Sequence, residues 1–366
     1  MVDAQTSALL KEYSLCRHCL ARQAGASKKQ AGKCYICRGL FDDLDSLAGK
    51  VLEAAKPYQY ETFLIGATLP TQLYEREDAL RARLKIRGRE SIKNQLTREL
   101  GMRVSKATKK KVDYQRPDVT INLVINRDGA AEAAAKARPL VVEGRYAKKA
   151  RGLPQKQDKC AMCLGKGCNL CDGTGLAGLD SVEGIIAKHL MKAAGGQAPK
   201  FSWIGSEDRE SLVLGQGRPF YAKISDPRVR APKMKFKESG VEAKIVSVLD
   251  DEPDTQARFK VKTRIAAKCE RAVTPQDIKQ LKSLAGAEVK FENRSKIAAK
   301  KIYSAQAKKT GDNELELLLA ADGGLPIKQF VGGEEYMEPN VSKLLGARCE
   351  CATFDVLAVT FLFDNR

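Results

Sequence analysis

The chain of 366 residues holds no apolar run near the ~18 residues that a membrane-spanning helix requires. It shows no lipidation signal. Its opening residues, MVDAQTSALLKEYS, lack the basic start and apolar core of a secretory leader. These absences lead us to expect a cytoplasmic protein with no membrane partner. Acidic charge is also scarce. There are 45 Asp and Glu against 64 Lys and Arg, a formal net charge of +19. That excess calls for a polyanionic partner, and nucleic acid is the first candidate. The length suggests two or three domains, each with enough chain for its own core.

Cysteine, by contrast, is plentiful. Eight of the eleven cysteines fall into four C-x2-C pairs: Cys16/Cys19, Cys34/Cys37, Cys160/Cys163 and Cys168/Cys171. A reducing compartment disfavours disulfides, so paired knuckles read as metal sites. Fourteen residues separate the first two pairs, close to the ribbon spacing for tetrahedral zinc. Each turn aims two thiolates at one point, and two turns complete a tetrahedron. His18 lies inside the first pair and need not be a ligand. The other two pairs sit in CAMCLGKGCNLCDGTG (160–175), two consecutive copies of C-x-x-C-x-G-x-G. Glycine after each knuckle lets backbone N–H groups turn toward the sulfurs. A closed four-sulfur site has no open position, so both would be structural. Two unrelated pairs, or redox use of the second set, are the competing readings. Cys269, Cys349 and Cys351 share no such pattern and read as ordinary buried thiols.

Between the knuckles, helices and strands alternate. Residues 39–56 read as an amphipathic helix and 60–68 as a strand. Residues 76–101 read as a basic helix stopped by Gly101, followed by a charged run (103–113), and 118–129 as a strand ending in a turn. Residues 138–159 begin as a strand and become a basic linker. We therefore expect an α/β domain with a basic face over 57–155. From Asp180 onward strands outnumber helices and hairpins are frequent. SVEGIIAKHLMKAAG (181–195) is a helix capped by Asp180 or Ser181, and 274–286 is a helix with a cap, an early Pro and a Gly stop. Thr310–Asn313 turns a hairpin. This portion reads as a largely antiparallel α+β domain.

Within it, Trp203–Phe220 (WIGSEDRESLVLGQGRPF) places Glu207 and Asp208 in a loop opened by Gly205. Gly215-Gln216-Gly217-Arg218-Pro219-Phe220 follows. Glycines there would let a nucleic-acid backbone or base come close, and Arg218 offers a planar fork for phosphate. An acid pointing into a basic, glycine-lined cleft is a candidate nucleophile or general base. The alternative is a polar turn between two strands.

Taken together these stretches resemble the archaeal tRNA pseudouridine synthases that carry a THUMP domain and convert T-arm uridines 54 and 55. The similarity runs over nearly the whole chain. The first two cysteine pairs and CYICRGLF look like the family's zinc module. PDVTINLV and VVEGRYAKKARGLPQ look like THUMP-region signatures, and SVEGIIAKHL looks like the opening of the catalytic domain. The family's G-R-E-D and L-G-x-G-R-P-F motifs appear as Gly205–Asp208 and Leu214–Phe220. GGLPIKQFVGGEEYMEPNVSKLLG (323–346) looks like its last motif.

The resemblance implies an α+β protein with an N-terminal zinc module (1–56), a THUMP-like domain (57–155) and a second zinc joint (156–178). A pseudouridine-synthase-type catalytic domain (179–366) follows. It implies isomerisation of T-arm uridines of tRNA, with Asp208 as nucleophile. Arg218, Arg294 and Lys328 would bind substrate. Structural Zn2+ would be held by the eight paired cysteines, with no redox or nucleotide cofactor, in a monomer. A methyl- or sulfur-transferase would need a Gly-rich cofactor cradle, whereas Gly215-x-Gly217 runs into Arg-Pro-Phe. The sequence departs from the family at Ser206 (for Arg), Thr263 and Pro326 (each for Tyr) and Tyr336-Met337-Glu338. The aromatic that would stack on the target base is left among Phe220, Tyr221 and Tyr303. These departures keep open a second reading, a weak or inactive tRNA-binding protein that assists T-arm folding.

Overall fold

Local sequence rules place most elements. In the computed structural model, which describes residues 11–25, 32–253, 258–293, 296–333 and 336–362, the chain divides into two compact units. The first comprises 1–138 with Asp226–Arg230, and the second Pro139–Ser225 with Ala231–Arg366. Among the described residues, no helix is long and apolar enough to cross a membrane.

The first unit opens with α1 (Arg17–Ala24), whose N-cap is Cys16. It continues through α2 (Leu44–Ala55), β1 (Thr62–Thr68), α3 (Thr71–Arg83), α4 (Ile92–Thr108), β2 (Lys111–Val112), β3 (Val119–Ile125) and β4 (Ala131–Ala137). The sheet runs β2-β1-β3-β4, with β1 parallel to both β2 and β3 and β4 antiparallel to β3. Helices α2 and α4 cover it. The basic helix expected over 76–101 is two helices. Gly88 and Lys85, both at positive φ, turn the chain between them. Ser91 then caps α4 by accepting from the Asn94 N–H at 3.2 Å. Gly101 does not stop α4. It sits buried on the inner face, and the helix absorbs the charged run as far as Thr108. Ile92, Leu96, Leu100 and Val104, four residues apart, form a stripe with no exposed surface.

The second unit contains β5 (Leu140–Lys148), α5 (Val182–Ala194), β6 (Lys200–Trp203), β7 (Val213–Ile224), β8 (Lys235–Glu238), β9 (Val241–Leu249) and β10 (Phe259–Cys269). Then come α6 (Pro275–Lys282), β11 (Glu288–Asn293), β12 (Lys296–Lys309), β13 (Glu314–Asp322), α7 (Ile327–Gly332), β14 (Met337–Glu338), α8 (Val341–Leu345) and β15 (Cys349–Phe361). Eleven strands form one sheet, ordered β14-β11-β12-β13-β10-β15-β7-β5-β9-β8, with β6 on β7. The expected caps are present: Ser181 accepts from the Gly184 N–H, and Thr274 and Asp277 form a capping box ahead of α6.

The expectation of a largely antiparallel sheet is corrected to a mixed one. β7 and β15 meet in parallel at Val213 and Val356, joining the two halves of the unit. Alternating burial tells which face of a strand is inward, not which way its neighbour runs. Two apolar cores flank this seam. One lies under β10–β13 and α6–α8, the other under β5, β7, β9 and α5. Strand β5 is part of this sheet, between β7 and β9. Cys269 and Cys349, expected as free thiols, are directly opposed on β10 and β15 and joined as a disulfide. Strand pairing of residues 80 apart in sequence, invisible to spacing rules, brings them together.

Candidate active site and metal centres

The stretch around Asp208 is bounded by strands on both sides. β6 ends at Trp203, and β7 begins at Val213. Gly215 and Gly217 therefore lie inside a strand, not in a substrate-facing loop. Gly217 has φ +76°, and a Cβ there would stand 2.5 Å from the Tyr146 carbonyl oxygen. These glycines admit neighbouring protein strands, not nucleic acid, which corrects the expectation.

Between the strands, Gly205, Ser206, Glu207 and Asp208 form one wall of a cavity of about 500 Å3. Asp208 lies at its rim, 28 % exposed, with Oδ2 2.7 Å from Lys328 Nζ at the start of α7. Its Oδ1 accepts the Glu210 N–H at 3.0 Å. Lys328, then that N–H, hold the Asp208 carboxyl below its usual range, and Asp208 in turn raises the Lys328 ammonium. Arg218 lines the cavity at only 2 % exposure. Its Nη1 donates to the Ile204 carbonyl at 3.4 Å. Its Nε stands 3.4 Å from Glu207 Oε2 without hydrogen-bond geometry to any described residue. The cavity thus brings Asp208, Arg218 and Lys328 together. Arg294 lies outside the described residues.

Glu207, which also lines the cavity, is turned inward. Its side chain is fully buried, accepting from the Tyr146 hydroxyl at 2.7 Å and lying 3.8 Å from Lys148 Nζ. Burial raises the Glu207 carboxyl against the pull of Arg218, Tyr146 and Lys148. Burial likewise lowers the Lys148 ammonium against Glu207 and Asp208. The Tyr146 phenol is pushed well above its ordinary value, by burial first and by Glu207 second. Of the acidic pair, one carboxylate meets solvent and one serves the core.

Sequence reading missed Lys148, taken as part of a basic linker. Its signal was available: Gly144, Tyr146 and Lys148 occupy alternate, buried positions of β5. It also missed the cavity's aromatics, Phe259 and Phe354. Of the three offered, Phe220 is core at 0 % exposure and Tyr221 nearly so at 8 %. The Tyr303 hydroxyl donates to Asp322, a cavity residue, at 2.8 Å. The departures Ser206, Thr263 and Pro326 all lie on the cavity wall.

Both cysteine sets converge. Within each, the four sulfurs lie within 4.8 Å of one another. Tetrahedral thiolates at the Zn–S distance of about 2.3 Å stand ~3.8 Å apart. Cys16 and Cys37 are 3.6 Å apart. Cys160–Cys168, Cys163–Cys171 and Cys168–Cys171 are 3.9, 3.8 and 3.7 Å apart. The geometry and soft donors fit a four-coordinate zinc in each. In the second set, N–H groups of Gly167, Cys168 and Gly175 point at Cys163 or Cys171 sulfurs, each at 3.2 Å. Burial opposes ionisation of Cys171, but the Cys168 and Gly175 N–H groups, with the neighbouring Cys168 and Cys163 thiols, bring it down to about 6. In the first set the buried Arg22 donates to Cys19 Sγ at 3.5 Å and to Glu77 at 2.6 Å, tying the knuckle to α3.

Comparison with known proteins bears on both units. Residues 141–360 match the family described as Pus10, C-terminal, and 47–123 match the Pus10 THUMP domain, archaeal. The tRNA pseudouridine synthase Pus10 of Nitrosopumilus maritimus (strain SCM1) is 35 % identical over 369 residues, covering 95 % of either chain. That of Cenarchaeum symbiosum (strain A) is 33 % identical over 367 residues, covering 95 % of this chain and 90 % of the other. Among solved structures, the archaeal box H/ACA sRNP Nop10-Cbf5 complex matches 59 % of this chain and 46 % of that one. It does so at 9 % identity with a TM-score of 0.30, too slight a likeness to bear on the fold.

Proposed function

The chain belongs to the Pus10 family of tRNA pseudouridine synthases, and we propose that it isomerises T-arm uridines of tRNA, at position 54, 55 or both, with Asp208 as the nucleophile. One observation carries the reading. The Asp208 carboxylate, held ionised by Lys328, stands at the rim of a cavity whose wall contains the buried guanidinium of Arg218. A cavity of this volume is of the size that holds a small ligand, and a single extruded nucleoside is such a ligand.

Asp208 attacks the extruded nucleotide or takes a proton from its sugar. The C1′–N1 bond breaks, the uracil turns within the cavity, and C5 bonds to C1′, which releases any bond to the Asp208 carboxylate; on the proton-abstraction route Asp208 returns the proton to the sugar. C5 then loses its proton and N1 gains one, so product and substrate have the same composition. An isomerisation of this kind consumes no redox or nucleotide cofactor. Extruding the base costs a few kcal/mol. Phe259 and Phe354 offer aromatic faces to the base that leaves its stack. Lys328, Arg218 and Arg294 are the basic groups assigned to the substrate's oxygens.

Cys16, Cys19, Cys34 and Cys37 would hold one Zn2+, and Cys160, Cys163, Cys168 and Cys171 a second. Four thiolates leave no open coordination position, so the ions' chemistry is structural. The division into a zinc module (1–56), a THUMP-like part (57–155), a zinc joint (156–178) and a catalytic domain (179–366) belongs to the same proposal, except that residues 139–155 go with the catalytic part, since β5 lies in the second unit's sheet. So does action on tRNA as a cytoplasmic monomer with no membrane partner. The alternative, an inactive T-arm-binding protein, draws on Ser206, Thr263 and Pro326. Those departures alter the cavity wall and leave the Asp208–Lys328 pair intact, which favours the enzyme.

The test is tritium release from tRNA labelled at C5 of uridine. Wild-type protein is expected to release tritium and Asp208→Asn to release none. Equal release by both removes Asp208 as the nucleophile.

A further inference from the structure

We infer that Lys148 is a positioning residue for the reaction: its buried ammonium gathers the backbone of the Asp208 loop and fixes where the nucleophile stands. The inference rests on the reading of Asp208 as nucleophile.

Lys148 is the last residue of β5, on the inward side of the strand, with its side chain fully buried. A lysine ammonium has three donors and no acceptor. Three backbone carbonyls converge on this one: Leu153 at 2.8 Å, Asp208 at 3.0 Å and Arg209 at 3.2 Å. Donors and acceptors match in number. Glu207 Oε1, 3.8 Å away, makes no hydrogen bond and contributes charge only. An unpaired buried cation is costly, so the loop closes around Lys148 rather than leaving it bare.

The consequence for Asp208 is geometric. Its carbonyl is pinned by Lys148 and accepts the Ser211 N–H at 3.0 Å. Its carboxylate accepts from Glu210 N, two residues on, before reaching Lys328. The carboxylate's direction therefore depends on backbone that Lys148 holds. A second clamp works from the same connection. Arg151 makes a bidentate pair with Asp355 of β15 at 2.9 and 3.1 Å and also donates to the Glu210 carbonyl. Residues at the end of β5 and just beyond it thus hold three consecutive carbonyls of the loop, Asp208 and Arg209 through Lys148 and Glu210 through Arg151. Lys148 takes the carbonyl of the nucleophile itself, where an error in position is felt most.

The cation and its geometry are both needed. Methionine fills similar space with no donor. Arginine keeps the charge beside Glu207, but its flat fork is the wrong shape for three carbonyls around one point. Lys148→Met and Lys148→Arg are tested beside wild type and Asp208→Asn, in three measurements: steady-state kinetics on tRNA, tRNA affinity, and amide hydrogen exchange. In both Lys148 variants kcat is expected to fall by roughly 100-fold, the loss that a displacement of about 1 Å at the reacting group produces. KM and affinity for tRNA should be unchanged. Exchange should rise at Glu210 and Ser211 and not along β7 or β10.

If Lys148→Met does not fold, Lys148→Arg carries the test alone. Wild-type kcat in a folded variant overturns the inference. So does a loss shared equally between kcat and tRNA affinity with exchange raised throughout the unit, which marks a merely structural role. Activity in Asp208→Asn would sink the nucleophile itself. Exchange at Glu210 and Ser211 in the Lys148 variants would still report whether the clamp holds the loop.

Discussion

Replacing Cys34 by Ser should unfold the first unit, whereas Cys168→Ser should cost the second only its local knuckle. The contrast follows from burial. Cys19, Cys34 and Cys37 are 0–3 % exposed and belong to one continuous core with Leu20, Ile36, Phe41, Leu44 and Val51. Without the ion, thiols and apolar chains are left around a centre that nothing holds. Structural zinc contributes about 10–16 kcal/mol in isolated fingers. A whole domain is stable by only about 5–15 kcal/mol. Losing a ligand that secures even part of the zinc term therefore removes most of the unit's margin.

The second set is different. Cys163, Cys168 and Cys171 are partly exposed, and Met162, Leu164 and Leu170 around them are 72–75 % exposed. Little apolar area is lost when that hairpin opens. Two probes separate the units. Trp203, the single tryptophan, lies against Tyr146 and Phe220 in the second unit. Far-UV circular dichroism follows the longer helices α2, α3 and α4 of the first. Cys34→Ser should lose helical signal at temperatures where Trp203 emission is unchanged. Cys168→Ser should leave both urea midpoints near wild type, and each variant should retain about one zinc per chain where wild type is expected to hold two. A Cys34→Ser protein with the wild-type helical midpoint would refute the reasoning. So would a Cys168→Ser protein whose Trp203 midpoint collapses.

Lys328→Ala should lower activity and move the acid limb of the pH–rate profile upward. Lys328 keeps the folded Asp208 pKa depressed, so the carboxylate persists to lower pH, and removing Lys328 returns it toward the usual range. Stability should change by less than ~1 kcal/mol, since the pair is partly solvated. Asp277→Ala, which breaks the capping box of α6, should cost about 1 kcal/mol in a denaturant titration. Arg271, then the Thr274 N–H and hydroxyl, hold Asp277 well below the usual carboxylate range against its burial. The stability it contributes is therefore present above the unfolded carboxylate pKa and lost as pH falls, and an Asp277→Ala protein should show a smaller loss between pH 5 and pH 3. Binding of tRNA should weaken steeply with salt, as the net charge of +19 implies. A flat response would contradict the view of the partner as a polyanion.

Much of this was readable from the chain, for identifiable reasons. The C-x2-C spacings are local, and a tetrahedral ion permits few arrangements of two such turns. Ser181, Thr274 and Pro275 mark helix starts by chemistry that acts within one turn. Asp208 and Lys328, 120 residues apart, were each singled out through resemblance, as nucleophile and as substrate-binding base, but the ion pair that joins them is tertiary and was not read. What escaped was likewise tertiary. Gly101 reads as a stop but is a close-packed helix position beside Val112. Gly215 and Gly217 read as a substrate loop but serve strand crossing. Lys148 reads as linker charge because lysines are seldom buried, and only the three carbonyls around it make that burial tolerable. The disulfide of Cys269 and Cys349 and the parallel seam of β7 with β15 depend on long-range pairing that no residue pattern encodes.

The most direct test of the central claim maps pseudouridine at nucleotide resolution in unmodified tRNA after incubation with the purified protein. Wild type is expected to place it at T-arm position 54, 55 or both. The Asp208→Asn variant, bound to the same tRNA with the same affinity, is expected to place none. Modification by Asp208→Asn, or T-arm uridines left intact by a folded, zinc-loaded wild-type protein that binds tRNA, would contradict the account.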